Sequence, residues 1–222
     1  MTEEIRGLVQ GVLLVVAALF PIVNPLGNSP FFLALTNDLD DAERRVLARK
    51  VAINGFVLLV AAIFFGDYVL DFFGISVPVV QLAGGLVLAS LGWSRLQQST
   101  EQKPQHAPES AGALEAKAFY PLTLPMTVGP GSISVAVTLG ANFPSTVQPF
   151  IADAASAVVG AFIVCLSTFL CFAFAERLSK SLGAGGLAVV MRLSAFILLC
   201  IGVQIMWNGA DTLFGFSRMH PP

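Results

Sequence analysis

Stretches of about 20 residues with almost no charge recur along this chain, and each is long enough to cross the hydrocarbon core of a membrane. A water-soluble globule needs a charged surface, but only 12% of these residues are Asp, Glu, Lys or Arg, against about 25% in an average soluble domain. We therefore predict an all-α polytopic membrane protein. The composition excludes a soluble enzyme, a secreted disulfide-bonded domain and a disordered chain. A net charge of −2 gives no electrostatic case for a nucleic-acid partner.

Six apolar segments are predicted to span the membrane, and prolines interrupt the first and the fourth of them. A polar stretch rich in Pro, Ser and Gln follows the third segment, which is typical of a flexible loop. The six segments cover approximately residues 7–36, 51–70, 75–96, 118–140, 149–175 and 187–216.

The positions of Lys and Arg predict the orientation, because cytoplasmic loops of membrane proteins carry an excess of both. Alternation of the six segments places ten basic residues on one side and two on the other. We therefore expect the polar loop in the cytoplasm and both termini outside. The ten are Arg44, Arg45, Arg49, Lys50, Arg95, Lys103, Lys117, Arg177, Lys180 and Arg192, and the two are Arg6 and Arg218.

The two interrupted segments resemble each other. FPIVNPLGNSP at residues 20–30 and YPLTLPMTVGP at residues 120–130 share three prolines at an offset of 100 residues. Each block opens a set of three segments, and because three is an odd number the second set must be inserted upside down relative to the first. We therefore predict two inverted three-helix repeats with a broken first helix in each. The repeats are residues 1–98 and 118–222, joined by a cytoplasmic linker at 99–117.

Inverted repeats with broken helices at corresponding positions are typical of secondary transporters. Each proline removes a backbone donor and clashes with the preceding turn. In hydrocarbon, the freed backbone groups are tolerated only inside protein or against a water-filled cavity. We therefore expect both breaks to face the interior and to bind a small zwitterionic solute near the midplane. The alternative is that the prolines mark re-entrant hairpins or packing kinks without a substrate.

The motif NPLGNSPFF at residues 24–32 resembles the NPxGxxPxF signature of the MarC family of integral membrane proteins. PLTLPMTVGPGSIS at residues 121–134 resembles that family's PLxxPxxxGPGxI segment. The six spans and the polar central loop match as well, so the resemblance covers essentially the whole chain. It implies a bacterial or archaeal inner-membrane protein related to amino-acid exporters and linked to small neutral amino acids.

The residues expected to bind the substrate belong to the two proline blocks. Two alternatives stay open: Asn24 caps the helix that resumes at Ser29, and the hydroxyls only satisfy local carbonyls. The predicted set is Asn24, Pro25, Gly27, Ser29, Pro30, Thr123, Pro125, Thr127, Gly129, Pro130, Gly131 and Ser132.

Polar residues elsewhere in the spans are candidates for coupling or for a vestibule, because intramembrane polar groups are costly and often functional. We expect the Asp153 face of span five to pack inward, and the outer face of span six to line an opening or pack on span five. Arg192 either snorkels to the cytoplasm or pairs with a carboxylate. A stripe on span three that begins at Gln81 is expected to allow close helix packing. The candidates are Asp153, Gln204, Asn208, Asp211 and Arg192.

The functional classes weighed are a carrier, a channel, a scaffold or sensor, and a membrane enzyme. The chain has two histidines, His106 and His220, both outside the apolar segments, and it has no HExxH motif, so neither an enzyme nor a metal site nor a cofactor is predicted. The expected partners are the lipid bilayer and a small neutral zwitterionic solute. Coupling to H⁺ or Na⁺, homo-oligomerisation and the direction of transport stay open.

Overall fold

A computed structural model describes residues 2–97, 117–143 and 147–215. Within these ranges the chain is helical and contains no strand. The predicted linker with Lys103 and His106, and the C-terminal tail with Arg218 and His220, lie outside the described residues. The helices are α1 (Thr2–Val23), α2 (Pro25–Leu35), α3 (Asp41–Phe73), α4 (Val77–Gln97), α5 (Ala118–Thr127), α6 (Pro130–Ala141), α7 (Val147–Ala173) and α8 (Ala175–Phe214).

Five helical stretches in the described residues are long and apolar enough to cross a membrane. One of them joins α1 and α2 across their break. A sixth candidate is the pair α5 and α6, which is bent by 69° at its break. The structure therefore gives five to six spans, in agreement with the predicted count.

The ends of α3 show how the sequence sets the helix limits. Asp40 and Glu43 form a capping box at the start, where each side chain accepts a hydrogen bond from the backbone N–H of the other residue. Gly74 ends the helix in the left-handed conformation, with φ 67°, which a residue without a Cβ adopts at little cost.

The break between α1 and α2 falls at a single residue, Asn24, while the neighbouring prolines lie inside helices. Pro21 lies within α1, Pro25 is the first residue of α2 and Pro30 lies within α2. Pro30 has no N–H to donate to the carbonyl of Leu26, four residues earlier. The hydroxyl of Ser29 donates to that carbonyl instead, at 3.0 Å. The carbonyl freed by Pro30 therefore has a hydrogen-bond donor within α2.

In α5 the helical turns are wide, of the π type, and the backbone is extended at Tyr120 and Leu124, each of which precedes a proline. Both of these X-Pro peptide bonds are cis. The Val128 N–H donates to the carbonyl of Thr123, five residues earlier, at 2.8 Å. Two side-chain hydroxyls also donate to the carbonyl five residues earlier. Thr123 Oγ1 donates to the carbonyl of Ala118 and Thr127 Oγ1 to that of Leu122, both at 2.7 Å.

Small residues allow α4 and α8 to approach closely along most of their length. A Cβ placed on Gly85 would lie 2.6 Å from the carbonyl oxygen of Gly202, and one on Gly92 would lie 2.5 Å from the backbone nitrogen of Leu199. The amide of Gln81 also donates to the Thr138 hydroxyl on α6, at 3.3 Å. The packing role predicted for the span-three stripe is therefore confirmed.

The faces predicted for spans five and six are only partly observed. On α7, Ser156 and Gly160 pack against α1 as expected, but Asp153 is exposed. On α8, Gln204 and Asn208 are exposed, and this helix packs on α4 far more extensively than on α7. Of the two alternatives for this face, packing on span five is not observed, and the lining of an opening stays a prediction. Lipid and protein interiors are similarly apolar, so the apolar pattern of a span does not say which side faces inward.

Candidate functional site

The first break is centred on Asn24, whose backbone has φ 49° and ψ 59°. Asparagine enters this left-handed region more easily than most residues do. Its side-chain oxygen accepts a hydrogen bond from the Gly27 N–H at 3.1 Å, so it caps α2. Of the two roles considered for Asn24, the structure shows the capping one. The helix resumes at Pro25, which corrects the predicted restart at Ser29.

The second break consists of Val128 and Gly129, between α5 and α6. Gly129 precedes α6 in an extended conformation, and no side chain caps this helix terminus. A Cβ on Gly129 would lie 2.9 Å from the carbonyl oxygen of Pro125. A side chain is therefore excluded here by a close approach of backbone to backbone.

Asn28 connects the two breaks through a single amide group. Its side-chain nitrogen donates to the carbonyl of Val23 at 2.8 Å and to the carbonyl of Met126 at 2.9 Å. Its side-chain oxygen accepts from Nη1 of Arg95 at 2.7 Å. The residue is only 1% exposed. One buried side chain thus ties the end of α1, the end of α5 and the end of α4 together, and we call these three hydrogen bonds the Asn28 clamp.

Arg95 approaches this point from α4, less than one turn before that helix ends. Its guanidinium lies over the ring of Phe31, 5.1 Å from the ring centroid. Among the residues that the structure describes, no carboxylate lies within 4.0 Å of Arg95. Counting charges assigned Arg95 to the cytoplasmic loop, whereas its side chain turns back toward the two breaks.

A narrow cavity with a volume of about 20 Å³ lies between the breaks, α4 and α8. This is room for about one water molecule, and an amino acid is several times larger. The cavity in the described conformation is therefore too small to hold an amino acid. Its lining consists of Ile22, Asn28, Leu88, Leu91, Arg95, Pro125, Met126, Thr127, Gly129, Gly131, Ser132 and Leu198.

The structure divides the predicted binding residues into two groups. Five line the cavity, and all five come from the second proline block. The others shape the breaks without lining the cavity. The cavity group is Pro125, Thr127, Gly129, Gly131 and Ser132, and the second group is Asn24, Pro25, Gly27, Ser29, Pro30, Thr123 and Pro130.

The buried hydroxyls also fall into two groups, according to whether they donate to a backbone carbonyl. Those of Ser29, Thr36, Thr123, Thr127, Ser134, Ser156 and Thr168 each donate to a backbone carbonyl. Ser132 is 2% exposed, and its hydroxyl has no hydrogen-bond partner among the described residues. The alternative that hydroxyls only satisfy carbonyls therefore holds for Thr123 and Thr127 but not for Ser132.

The candidates for coupling lie away from the cavity. Asp153 is exposed near the start of α7, and Arg192 is exposed on α8. Gln204 donates to the Asn208 side-chain oxygen at 2.8 Å on the exposed side of α8. Asp211 is half-buried further along the same helix. Over the described ranges, no three His, Cys, Asp or Glu side chains are grouped as metal ligands.

Sequence reasoning missed Asn28 and Arg95, the two residues that the clamp joins. Asn28 carried the signal used to select Asn24, namely an amide inside an interrupted apolar segment. Arg95 lies within the apolar segment 75–96 itself, two positions after Trp93. A charged residue this close to the end of a segment is normally assigned to the adjoining loop. Only the direction of its side chain shows whether it reaches the loop or turns into the protein.

Comparisons with known proteins give a consistent result. A sequence profile described as MarC family integral membrane protein matches residues 9–214. The inner membrane protein MarC (UPF0056) of Salmonella typhimurium is 31% identical over 206 residues, which covers 86% of this chain and 90% of that protein. The protein of the same name from Escherichia coli O139:H28 is 31% identical over 200 residues, with the same coverage. No solved structure matches.

Proposed function

This chain belongs to the MarC family of integral membrane proteins, and from that premise we propose that it is a secondary transporter of small neutral amino acids that works by alternating access. Its place as a multi-pass protein of the inner membrane agrees with the relatives' name and with the five to six spans. In the proposal the two halves are inverted repeats, both termini are outside and the central loop is cytoplasmic.

The observation that carries the proposal is the meeting of both broken helices at one cavity. Irregular backbone within a membrane is tolerated only where protein or a cavity covers it. Two breaks in proline motifs that are offset by 100 residues in sequence are connected here through Asn28. Convergence of two discontinuous helices on a central site is the arrangement that many secondary transporters use.

The size of the cavity sets what a transport cycle must change. With room for about one water molecule, the cavity is too small for an amino acid in this conformation. Admission of an amino acid requires the breaks to separate, and the Asn28 clamp is the contact that must open. In the proposal Thr127, Gly129, Gly131 and Ser132 line the substrate site, and the first proline block shapes the moving half. We leave H⁺ and Na⁺ as the candidate coupling ions.

Counterflow tests the proposal directly. Purified protein in proteoliposomes preloaded with unlabelled glycine, alanine or serine should accumulate the same labelled solute saturably, and a proton or sodium gradient should change the rate if either ion is coupled. Absence of counterflow for all three would reject the small-amino-acid carrier. Unitary currents in planar bilayers would instead indicate a channel.

Two glycine variants link such flux to the breaks. Gly129→Leu forces a side chain against the Pro125 carbonyl, so we expect counterflow to be lost. Gly7→Leu is the matched control, since a Cβ at Gly7 meets nothing within 4 Å. Equal transport by both variants would mean that the second break does not line the pathway.

A further inference from the structure

We infer that the cavity between the broken helices binds a carboxylate group, held by the Arg95 guanidinium, the Ser132 hydroxyl and the backbone amides that open α6. That the carboxylate belongs to a transported solute rests on the proposed function. Carboxylate binding itself can be tested separately.

The first support is the charge of Arg95. A guanidinium turned into a membrane protein normally pairs with an acidic group, because an unpaired charge in such surroundings is costly. Here its polar contact is with the neutral amide of Asn28 at 2.7 Å, and no carboxylate of the described residues lies within 4.0 Å. A guanidinium has five N–H donors and binds carboxylates through two parallel hydrogen bonds. Among the described residues, the Asn28 oxygen is the hydrogen-bond acceptor of Arg95, so most of these donors have no partner there.

The second support is Ser132. Each of the seven other buried Ser and Thr side chains donates its hydroxyl hydrogen to a backbone carbonyl. Ser132 does not, although it is equally buried and lines the same cavity as Arg95. Among the described residues, the fully buried side-chain nitrogen or oxygen without a partner is Arg44 Nε, so the Ser132 oxygen opens onto the cavity. A ligand there that accepts a hydrogen bond would give this hydroxyl a partner.

The third support is the start of α6. The starts of α2 and α3 are capped by the side chains of Asn24 and Asp40, whereas Gly129 provides no side-chain cap for α6. Gly131 and Ser132 lie in the first turn of α6 and line the cavity. Uncapped N–H groups at a helix N-terminus favour an anionic acceptor.

The combination favours a small anion over a cation. A guanidinium, a hydroxyl and a helix N-terminus all present donors, and no acidic side chain lines the cavity. A carboxylate is larger than the one water molecule for which the cavity has room, so it enters when the breaks separate. Its planar pair of oxygens then matches the guanidinium.

Binding by wild-type protein to three related probes tests the chemistry without any mutation. Alanine carries both a carboxylate and an ammonium, alaninamide lacks the carboxylate, and propionate lacks the ammonium. In nanodiscs, followed by isothermal titration and thermal stability, we expect alaninamide to bind about 10- to 100-fold more weakly than alanine. We expect propionate to retain measurable binding. Equal affinity for alanine and alaninamide would overturn the inference.

Variants then assign the binding to the residues named. Arg95→Gln should abolish propionate binding and weaken alanine binding about 10- to 100-fold, while Arg95→Lys should retain part of it. Ser132→Ala should weaken both about tenfold. Arg177→Gln is the charge-matched control, because Arg177 is exposed on the same predicted side. Ser167→Ala is the hydroxyl control, since Ser167 donates only to its own helix, at 2.6 Å to Val164.

Failure of this inference and failure of the transport proposal give different results. Counterflow of alanine with no discrimination against alaninamide, and with Arg95→Gln unaffected, leaves the transporter and removes the carboxylate site. Propionate binding that depends on Arg95, without counterflow of any amino acid, leaves the site and removes the transporter. If Arg95→Gln does not fold, the wild-type probe series and Ser132→Ala decide the question.

Discussion

Arg44 and Arg95 are the two arginines among the described residues whose side chains turn into the protein, and their partners differ in charge. Arg44, in the first turn of α3, lies 2.9 Å from the carboxylate of Asp41 and 3.3 Å from that of Glu176. It also donates to the backbone carbonyl of Leu39 at 3.0 Å. Its positive charge is therefore neutralised by the chain itself, and it ties the start of α3 to the start of α8.

Arg95 has a neutral amide and an aromatic face instead, namely the Asn28 oxygen and the ring of Phe31. Arg95 lines a cavity, whereas Arg44 is buried by the residues around it. The difference suggests a rule for interpreting buried arginines in this fold. An arginine whose charge is neutralised by carboxylates of the protein has a structural role. An arginine without such a carboxylate is available to bind a ligand.

The largest effect is expected when Arg95 is given a carboxylate of its own. Ser132→Asp places an acidic group in the first turn of α6, where it is favoured electrostatically, and in the same cavity as Arg95. We expect transport to fall more than about 100-fold while the thermal midpoint is unchanged or raised, because the new carboxylate occupies the proposed site. Counterflow and thermal melts measure the two quantities. Ser132→Asn is the control of similar size without charge, and equal flux through both would contradict the expectation.

Removal of the Asn28 clamp should come next in size. Asn28→Ala deletes three hydrogen bonds and leaves the buried carbonyls of Val23 and Met126 without those donors. Counting about 1 kcal/mol for each bond, we expect a loss of about 3 kcal/mol in stability, together with loss of coupled movement between the breaks. Chemical denaturation of the purified protein measures the first effect and counterflow the second. A variant that is stable and fully active would show that the breaks are held together by packing alone.

Arg44→Gln tests the other arginine of the pair, because it removes the charge that Asp41 and Glu176 neutralise. The carbonyl of Leu39 would lose its donor, and Asp41 and Glu176 would lose their shared cation. The Asp41 carboxylate is mostly exposed and the Glu176 carboxylate partly so, so we expect a smaller loss of stability than for a fully buried pair. Alanine affinity per folded molecule should stay as in wild type. A specific loss of affinity at unchanged stability would remove the distinction between the two arginines.

The sequence alone predicts the spans and the location of both breaks, because charge-free length and clustered prolines are local properties. It also names five residues of the second block that line the cavity, which are Pro125, Thr127, Gly129, Gly131 and Ser132. The clamp is not predictable in this way, since Arg95 and Asn28 are 67 positions apart and meet only through the rotation of α4. The rotation of a helix whose sides are all apolar leaves no sequence signal, which is also why the sequence left two alternatives for the Gln204 face of α8.

Asn24 offers a smaller test, since it is an amide close to Asn28 that does not line the cavity. Asn24→Ala removes the cap of α2 and strains a left-handed residue, so we expect about 1 kcal/mol of destabilisation. Asn24→Gly accepts the same backbone conformation and should cost only a few tenths of that. Thermal melts of both variants beside wild type provide the measurement. If both variants bind alanine as tightly as wild type, Asn24 is not part of the binding site and binding is confined to the Arg95 side of the Asn28 clamp. A loss of alanine affinity in Asn24→Gly would mean that Asn24 does belong to the site.

The smallest effect concerns the pH dependence of the Arg44 region. The hydrogen bond from Lys180 lowers the pKa of the Glu176 carboxyl, and the positive charges of Lys180 and Arg44 lower it further. A carboxyl with a lower pKa in the folded than in the unfolded state stabilises above its unfolded pKa, and loses that contribution as the pH falls through the folded pKa. Thermal midpoints of wild type and Glu176→Gln should therefore differ at neutral pH and converge in acid, with a small difference because the pair is largely solvated. Lys180→Met should remove most of the same difference, since Lys180 is the main cause of the lowered pKa. If the thermal midpoints of wild type and Glu176→Gln stay equally far apart down to acidic pH, the charge of Glu176 does not stabilise the start of α8. Arg44 would then be held by Asp41 and the backbone alone.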